Sequence, residues 1–158
     1  MGISKQLRRL QRKAIASGIT ARFMAWHVKY FRAYPKEKGR SDLIEEASEL
    51  SVENALLVFI SFEKSDTSNP VEIVDRTANE LLKICATLGL RTIVLNPFAH
   101  LFGDLANTQD ASKMLNSLYA KLKERNFEVY KLAFGIFYEI ELKAEGHRLS
   151  RISRIISA

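Results

Sequence analysis

Cysteine is almost absent: the 158 residues hold only Cys85. That excludes an intrachain disulfide framework and a cysteine zinc cage, and it fits a reducing cytoplasm. No apolar run approaches the ~20 residues of a membrane-spanning helix. The longest, residues 55–62 and 92–95, are strand-sized. The basic N-terminus is not followed by a long apolar stretch, so neither a secretory signal nor a membrane partner is expected. No internal repeat, low-complexity segment, Gly-rich phosphate loop or G-x-S-x-G elbow occurs. His27, His100 and His147 form no metal-ligand motif in sequence, so no metal and no cofactor are expected.

Acid is nearly missing from the first forty residues. They carry eleven Lys and Arg and only Glu37, a net +10, whereas the chain as a whole is +6. The rest is therefore −4, although its tail still holds Arg148, Arg151 and Arg154. Basic ends around an acidic middle point to a polyanion, most often a nucleic acid. The candidate RNA contacts are Lys5, Arg8, Arg9, Arg12 and Lys13 in the arm, with Arg148, Arg151 and Arg154 in the tail.

Hydrophobic residues make up 47%, enough for a packed core. Leu7, Leu10 and Ala14 predict a basic amphipathic helix over residues 4–17. Residues 22–31 alternate as a strand, with Phe23, Ala25, His27, Lys29 and Phe31 on one face and Met24, Trp26, Val28 and Tyr30 on the other. Residues 35–41 read as a loop. Residues 42–50 read as a short helix with Glu45, Glu46 and Glu49 outward. Residues 55–63 form a central strand. After a polar loop, Asn69-Pro70 opens a helix that buries Val74, Ala78, Leu81, Leu82 and Cys85 and ends at Gly89. A strand over 91–95 is broken by Asn96-Pro97. A second helix starts at Thr108 or Asp110, buries Ala111, Met114, Leu115, Leu118 and Leu122, and ends at Asn126. Strands follow over 127–132 and 137–143, around Ala133-Phe134-Gly135. The three-residue recurrence of Arg148, Arg151 and Arg154 beside Leu149, Ile152 and Ile155 predicts a short terminal helix. The fold class is α+β, with a basic arm over 1–20 and one domain over 21–158.

Cys85 lies on a buried stripe and reads as core. Ser61 has no general base near it in sequence and so is not assigned as a nucleophile. His100 follows a strand end, where functional loops tend to sit.

Several short segments are more specific. Leu57-Val58-Phe59-Ile60-Ser61-Phe62-Glu63-Lys64, then Asn96-Pro97-Phe98-Ala99-His100-Leu101, Phe134-Gly135 and Gly146-His147 occur in that order. Together they resemble the N-terminal editing domain of archaeal threonyl-tRNA synthetase over about residues 23–156. His27 and Tyr30 look like the His and Tyr of that family's first strand. The resemblance implies the fold of D-aminoacyl-tRNA deacylases, with mixed and antiparallel sheet packed on two main helices. It also implies a homodimer, and hydrolysis of serine mischarged onto tRNA(Thr). A synthetase catalytic domain or subunit is an implied partner, and the chain's end falls where the family's editing domain meets its linker. The implied pocket is formed largely by main chain around Ser61, Phe62 and Glu63, Pro97, Phe98, Ala99 and His100, and Phe134 and Gly135.

The departures are specific too. Tyr138 stands where the family has Lys, Arg151 where it has Glu, and Val28-Lys29 where it has Ser-Asp. Side-chain catalysis would then predict a dead enzyme. The resemblance instead implies an RNA-assisted route, in which a ribose hydroxyl orients the water and main chain stabilises the oxyanion. On that route no side chain is expected to be catalytic, and His100 and Tyr138 have at most supporting roles. Two rivals remain: a tRNA-docking module that has lost hydrolysis, and a D-aminoacyl-tRNA deacylase proper.

Overall fold

The structure, a computed structural model, describes residues 20–98 and 105–157. The helix expected over 4–17 lies outside the described residues. So do five of the expected RNA contacts, Lys5, Arg8, Arg9, Arg12 and Lys13, and the pocket candidates Ala99 and His100.

The elements run β1 (Thr20–Lys38), β2 (Leu50–Phe62), a 3-10 turn (Lys64–Ser68), α1 (Pro70–Leu88), β3 (Thr92–Pro97), α2 (Thr108–Glu124), β4 (Glu128–Lys131), β5 (Ile136–Ala144) and β6 (Arg151–Ser157). They form a six-stranded sheet in the order β4-β3-β2-β1-β5, with β6 also paired to β1. β1 is antiparallel to β2, β5 and β6, whereas β2, β3 and β4 run parallel through the two helical crossovers. This is the α+β architecture expected from the mixture of periodicities.

β2 reads as a continuous apolar run because both of its faces are covered. Leu56, Val58, Ile60 and Phe62 meet the helices. Ala55, Leu57 and Phe59 meet a second cluster on the opposite face. The helix-side core takes Ile73, Val74, Ala78, Leu81, Ile84 and Cys85 from α1, and Met114, Leu115, Leu118 and Leu122 from α2. Each fully buried Leu or Ile there contributes ~1.5–3 kcal/mol. Gly89 caps α1 in the left-handed region, at φ 68°. The Asn107 side chain caps α2 by accepting from the Asp110 N–H at 2.8 Å. Burial pushes the Cys85 thiol up to about 12, so at neutral pH it is a protonated core group and not a nucleophile.

Four expectations about local structure are corrected. Residues 35–38 are not loop: β1 continues to Lys38 and pairs with β5. Pro35 is tolerated because pairing with β2 has already ended at Ala33, leaving one neighbour. Residues 41–49 are not helical. Ser41, Leu43, Glu45 and Ala47 are half-buried while Asp42, Ile44, Glu46 and Ser48 are exposed, a period of two that marks extended chain. A two-turn helix there would be marginal by itself, and the Glu45 N–H bonds to the Phe134 carbonyl instead. Asn96-Pro97 does not break β3, since Ile60 still pairs with Pro97 and the Phe98 N–H carries the ladder on to the Ile60 carbonyl at 2.9 Å. Finally, residues 151–157 form a strand. The open edge of β1 from Thr20 to Trp26 takes up β6 residue for residue, and β-branched Ile152, Ile155 and Ile156 suit it.

One face assignment also changes. A register shift between Val28 and Tyr30 reverses the alternation of β1. Phe23 and Ala25 face the helices, but Phe31 and Ala33 join Val28 on the opposite face.

Candidate active site

A pocket of about 280 Å³ lies where the parallel strands β2, β3 and β4 end. The carboxyl ends of parallel strands are where open α/β sheets bind ligands, because the crossovers leave the chain there to form walls. Ile60, Ser61 and Phe62 come from the end of β2, Pro97 and Phe98 from the end of β3. Ala133, Phe134 and Gly135 come from the loop after β4, and Ala111 and Leu115 from the first turns of α2.

The walls are tied by main chain. Phe98 N–H donates to Ile60 O at 2.9 Å, and Ala106 N–H to Phe62 O at 3.0 Å. Ser61 is buried, and its hydroxyl donates to the Phe98 carbonyl, joining the two strand ends. With its proton engaged there, Ser61 is a brace of the pocket floor. Gly135 sits at φ 78°, and a Cβ there would run into the Leu43 carbonyl oxygen and the Ile44 Cα. Only glycine fits both constraints.

Six of the expected pocket residues therefore come together: Ser61, Phe62, Pro97, Phe98, Phe134 and Gly135. Glu63 does not line it, and Tyr138, expected to have at most a supporting role, does not either. Glu63 starts the 3-10 turn, its N–H donating to the buried Asp66 carboxylate at 2.6 Å. Tyr138 stands on the far side of the 133–135 loop, where its hydroxyl accepts from the Ala133 N–H at 2.9 Å. Tyr138 supports the loop from behind.

Among the described residues, the lining contains no carboxylate, imidazole, ammonium or guanidinium group. No group of three or more His, Cys, Asp or Glu among them is placed to hold a metal ion. The groups on offer are main-chain N–H and C=O and the hydroxyls of Ser41, Ser61 and Thr108.

Glu45, Ser41, Ala106 and Thr108 were not legible as site residues. Glu45 read as solvent-facing beside Glu46 and Glu49, yet its Oε1 accepts from the Phe134 N–H at 2.9 Å. On the expected stripe of α2 Leu115 is buried and Ala111 half-buried, and the stripe's N-terminal end also borders the pocket.

The tail arginines do not form a stripe. Arg148 and Arg151 are exposed, and Arg151 lies 5.7 Å over the Trp26 ring. Arg154 points to the helix side and pairs with Glu80 of α1 at 3.1 Å. Residues three apart on a strand face opposite ways, so the expected helical alignment is lost. His27 and His147, unrelated in sequence spacing, meet in a relay outside the pocket. Leu149 N–H donates to His147 Nδ1 at 3.2 Å, which leaves His147 Nε2 to donate to His27 Nδ1 at 2.8 Å. His27 Nε2 then donates to Asn54 Oδ1 at 3.0 Å. The relay pins the turn before β6 to β1 and β2.

A family model described as the archaea-specific editing domain of threonyl-tRNA synthetase matches residues 21–156. Threonine–tRNA ligase of Hyperthermus butylicus is 42% identical over 107 residues, 66% of this chain and 17% of that protein. That of Pyrococcus furiosus is 32% identical over 138 residues, 85% of this chain and 22% of that protein. The chain thus spans about a fifth of the length of these relatives. Among solved structures, a probable eukaryotic D-amino acid tRNA deacylase superposes with a TM-score of 0.65 at 11% identity, covering 87% of this chain and 100% of the other. The c-Myc DNA unwinding element binding protein superposes with a TM-score of 0.61 at 10% identity, over 87% of this chain and 98% of its own. At such identities the likeness is one of fold: this chain has the D-aminoacyl-tRNA deacylase fold.

Proposed function

The chain belongs to the archaea-specific editing-domain family of threonyl-tRNA synthetase, and from that membership we propose that its pocket hydrolyses seryl-tRNA(Thr). The supporting observation is the pocket at the carboxyl ends of β2, β3 and β4, walled by main chain and apolar side chains. An aminoacyl ester is already activated, so hydrolysis needs a placed water and donors for the oxyanion. Water adds to the ester carbonyl, the bond to the ribose 3′ oxygen breaks, and the proton lost by water ends on that oxygen. Serine and uncharged tRNA leave. The free 2′-hydroxyl beside the ester orients the water, and main-chain groups, which survive side-chain replacement, do the rest.

Editing answers an energetic need. Serine lacks one methyl of threonine, worth only about 1–3 kcal/mol in a synthesis site. A second site can reject threonine because the extra methyl meets walls. The reading that hydrolysis has been lost rests on Tyr138 and Arg151. Neither lines the pocket, and this favours activity. Tyr138→Phe and Arg151→Ala should each lower kcat/KM by less than about tenfold, against the ~10²–10⁴-fold of general acid–base groups. A larger loss would assign them a catalytic role. The direct test is serine release from seryl-tRNA(Thr) with catalytic amounts of protein. No release above the uncatalysed rate would leave a docking module.

The natural context of this reading is a cytoplasmic synthetase, with a catalytic domain or separate subunit as partner. A homodimer is part of it, and the half-buried Met24, Trp26 and Leu142 on the helix-free sheet face suit a second copy. The basic arm contacts the tRNA backbone. Deleting residues 1–20 should weaken tRNA binding at moderate salt. The slope of log affinity against log salt should flatten by roughly 0.7–0.9 for each phosphate the arm had neutralised. The preference for the seryl ester should not change. An unaltered slope with a lower melting temperature or a dissociated dimer would place the arm on the protein instead.

A further inference from the structure

We propose that Glu45 is a positioning residue for the pocket, holding the Phe134 main chain at both of its hydrogen-bonding groups and so fixing one pocket wall. The inference rests on the deacylase reading of that pocket.

The loop after β4 is a partition. On one side Ala133, Phe134, Gly135 and Ile136 line the 280 Å³ pocket. On the other, Ala133 borders a second cavity of about 270 Å³, whose walls include Glu45, Tyr119, Lys131 and Tyr138. A loop packed against solid core is held by contact on its back surface. Here Ala133 has space on both sides, and although the Phe134 ring packs on the helix-side core, hydrogen bonds set the position of its main chain.

Those bonds come mainly from the extended segment after β1. Glu45 Oε1 accepts from the Phe134 N–H at 2.9 Å, and the Glu45 N–H donates to the Phe134 carbonyl at 3.0 Å. The Gly39 N–H donates to the Gly135 carbonyl at 2.7 Å. Behind them, the Tyr138 hydroxyl accepts from the Ala133 N–H. The Glu45 bond is the only one of the four whose acceptor is a carboxylate. Its other oxygen lies 3.9 Å from Lys131 Nζ, which also donates to Asn116 of α2. Lys131 thereby steadies the carboxylate from the helix side. Losing the acceptor leaves the Phe134 N–H without its partner and loosens the main chain of that pocket wall.

The test compares Glu45→Ala with Glu45→Gln in the full chain. Gln keeps an oxygen acceptor at the same reach, so it rescues a positioning role and would not rescue a need for charge. Two readouts are taken. Amide hydrogen exchange at Phe134, measured without substrate, should accelerate by about tenfold or more in the Ala variant and stay near wild type in the Gln variant. Deacylation of seryl-tRNA(Thr) should fall by ~10–100-fold in kcat/KM for Ala, as misplaced walls do, with a smaller seryl-to-threonyl ratio. Gln should remain within about threefold of wild type. Unchanged Phe134 exchange in Glu45→Ala, or unchanged deacylation and selectivity, would overturn the proposal. A wild-type chain without deacylation would instead overturn the functional reading, and the exchange readout would still decide whether Glu45 holds the wall.

Discussion

Turnover should stop when the terminal adenosine of the tRNA carries hydrogen in place of its 2′-hydroxyl, with serine held on the 3′ position. Among the described residues, the pocket lining offers no titratable side chain to activate or orient water. Hydrolysis of an ester still needs one group that accepts a hydrogen bond from the attacking water. The vicinal hydroxyl of the substrate is within reach of the carbonyl by covalent geometry alone. Removing it takes away one hydrogen bond in binding but the water's orientation in the transition state. The loss should therefore appear in kcat far more than in KM. Retained turnover on the 2′-deoxy substrate would mean that a side chain does this work. His100→Ala would then be the first variant to make, since His100 follows Pro97-Phe98-Ala99 at the end of β3.

The second large effect is expected from a single methyl group. Gly135→Ala places a Cβ at φ 78°, which costs ~1–2 kcal/mol for an L-residue before any contact is considered. The contacts are worse, because the Cβ meets the Leu43 carbonyl oxygen and the Ile44 Cα. Backbone atoms cannot rotate away as a side chain can, so either the loop or the segment facing it must shift. Both carry the pocket wall. A displacement of about 1 Å in a positioned site can cost ~10²-fold, and a loss of that order in kcat/KM is expected. The melting temperature should fall by ~2–8 °C, following the dihedral cost alone. Gly146→Ala is the control: nothing lies within 4 Å of a Cβ there, so activity and stability should stay near wild type. Full activity and an unchanged melting temperature in Gly135→Ala would contradict the described loop.

Much of the fold was legible because the signals were strong and local. Asn69-Pro70 and Gly89 bracket α1 with a proline at the first helical position and a left-handed cap, and its apolar stripe is long. The continuous run of β2 marks a strand covered on both faces. The misread segments share a different property: their conformation is decided by a distant partner. Residues 41–49 contain acids at spacings that fit a helix, but they lie extended because their main chain bonds to the loop after β4. The tail looked helical from three arginines, yet the open edge of β1 supplies a seven-residue ladder. The register shift in β1 leaves no mark in residue type, so the exchange of Phe31 to the other face could not be read. For the site, the family-like segments Ser61–Phe62, Pro97–Phe98 and Phe134–Gly135 meet at one pocket in the fold. Glu45 carried no signal, because a glutamate beside two others on a polar stretch reads as a solvated face.

The activity proposed for the pocket at the ends of β2, β3 and β4 is removal of serine, and not of threonine, from tRNA(Thr). Its most direct measurement is the initial rate of deacylation of seryl-tRNA(Thr) and threonyl-tRNA(Thr), side by side, under single-turnover conditions with the chain in excess. A seryl rate at least about tenfold above the threonyl rate is expected where one methyl meets a wall. Equal rates on the two esters, or no hydrolysis of either, would contradict it.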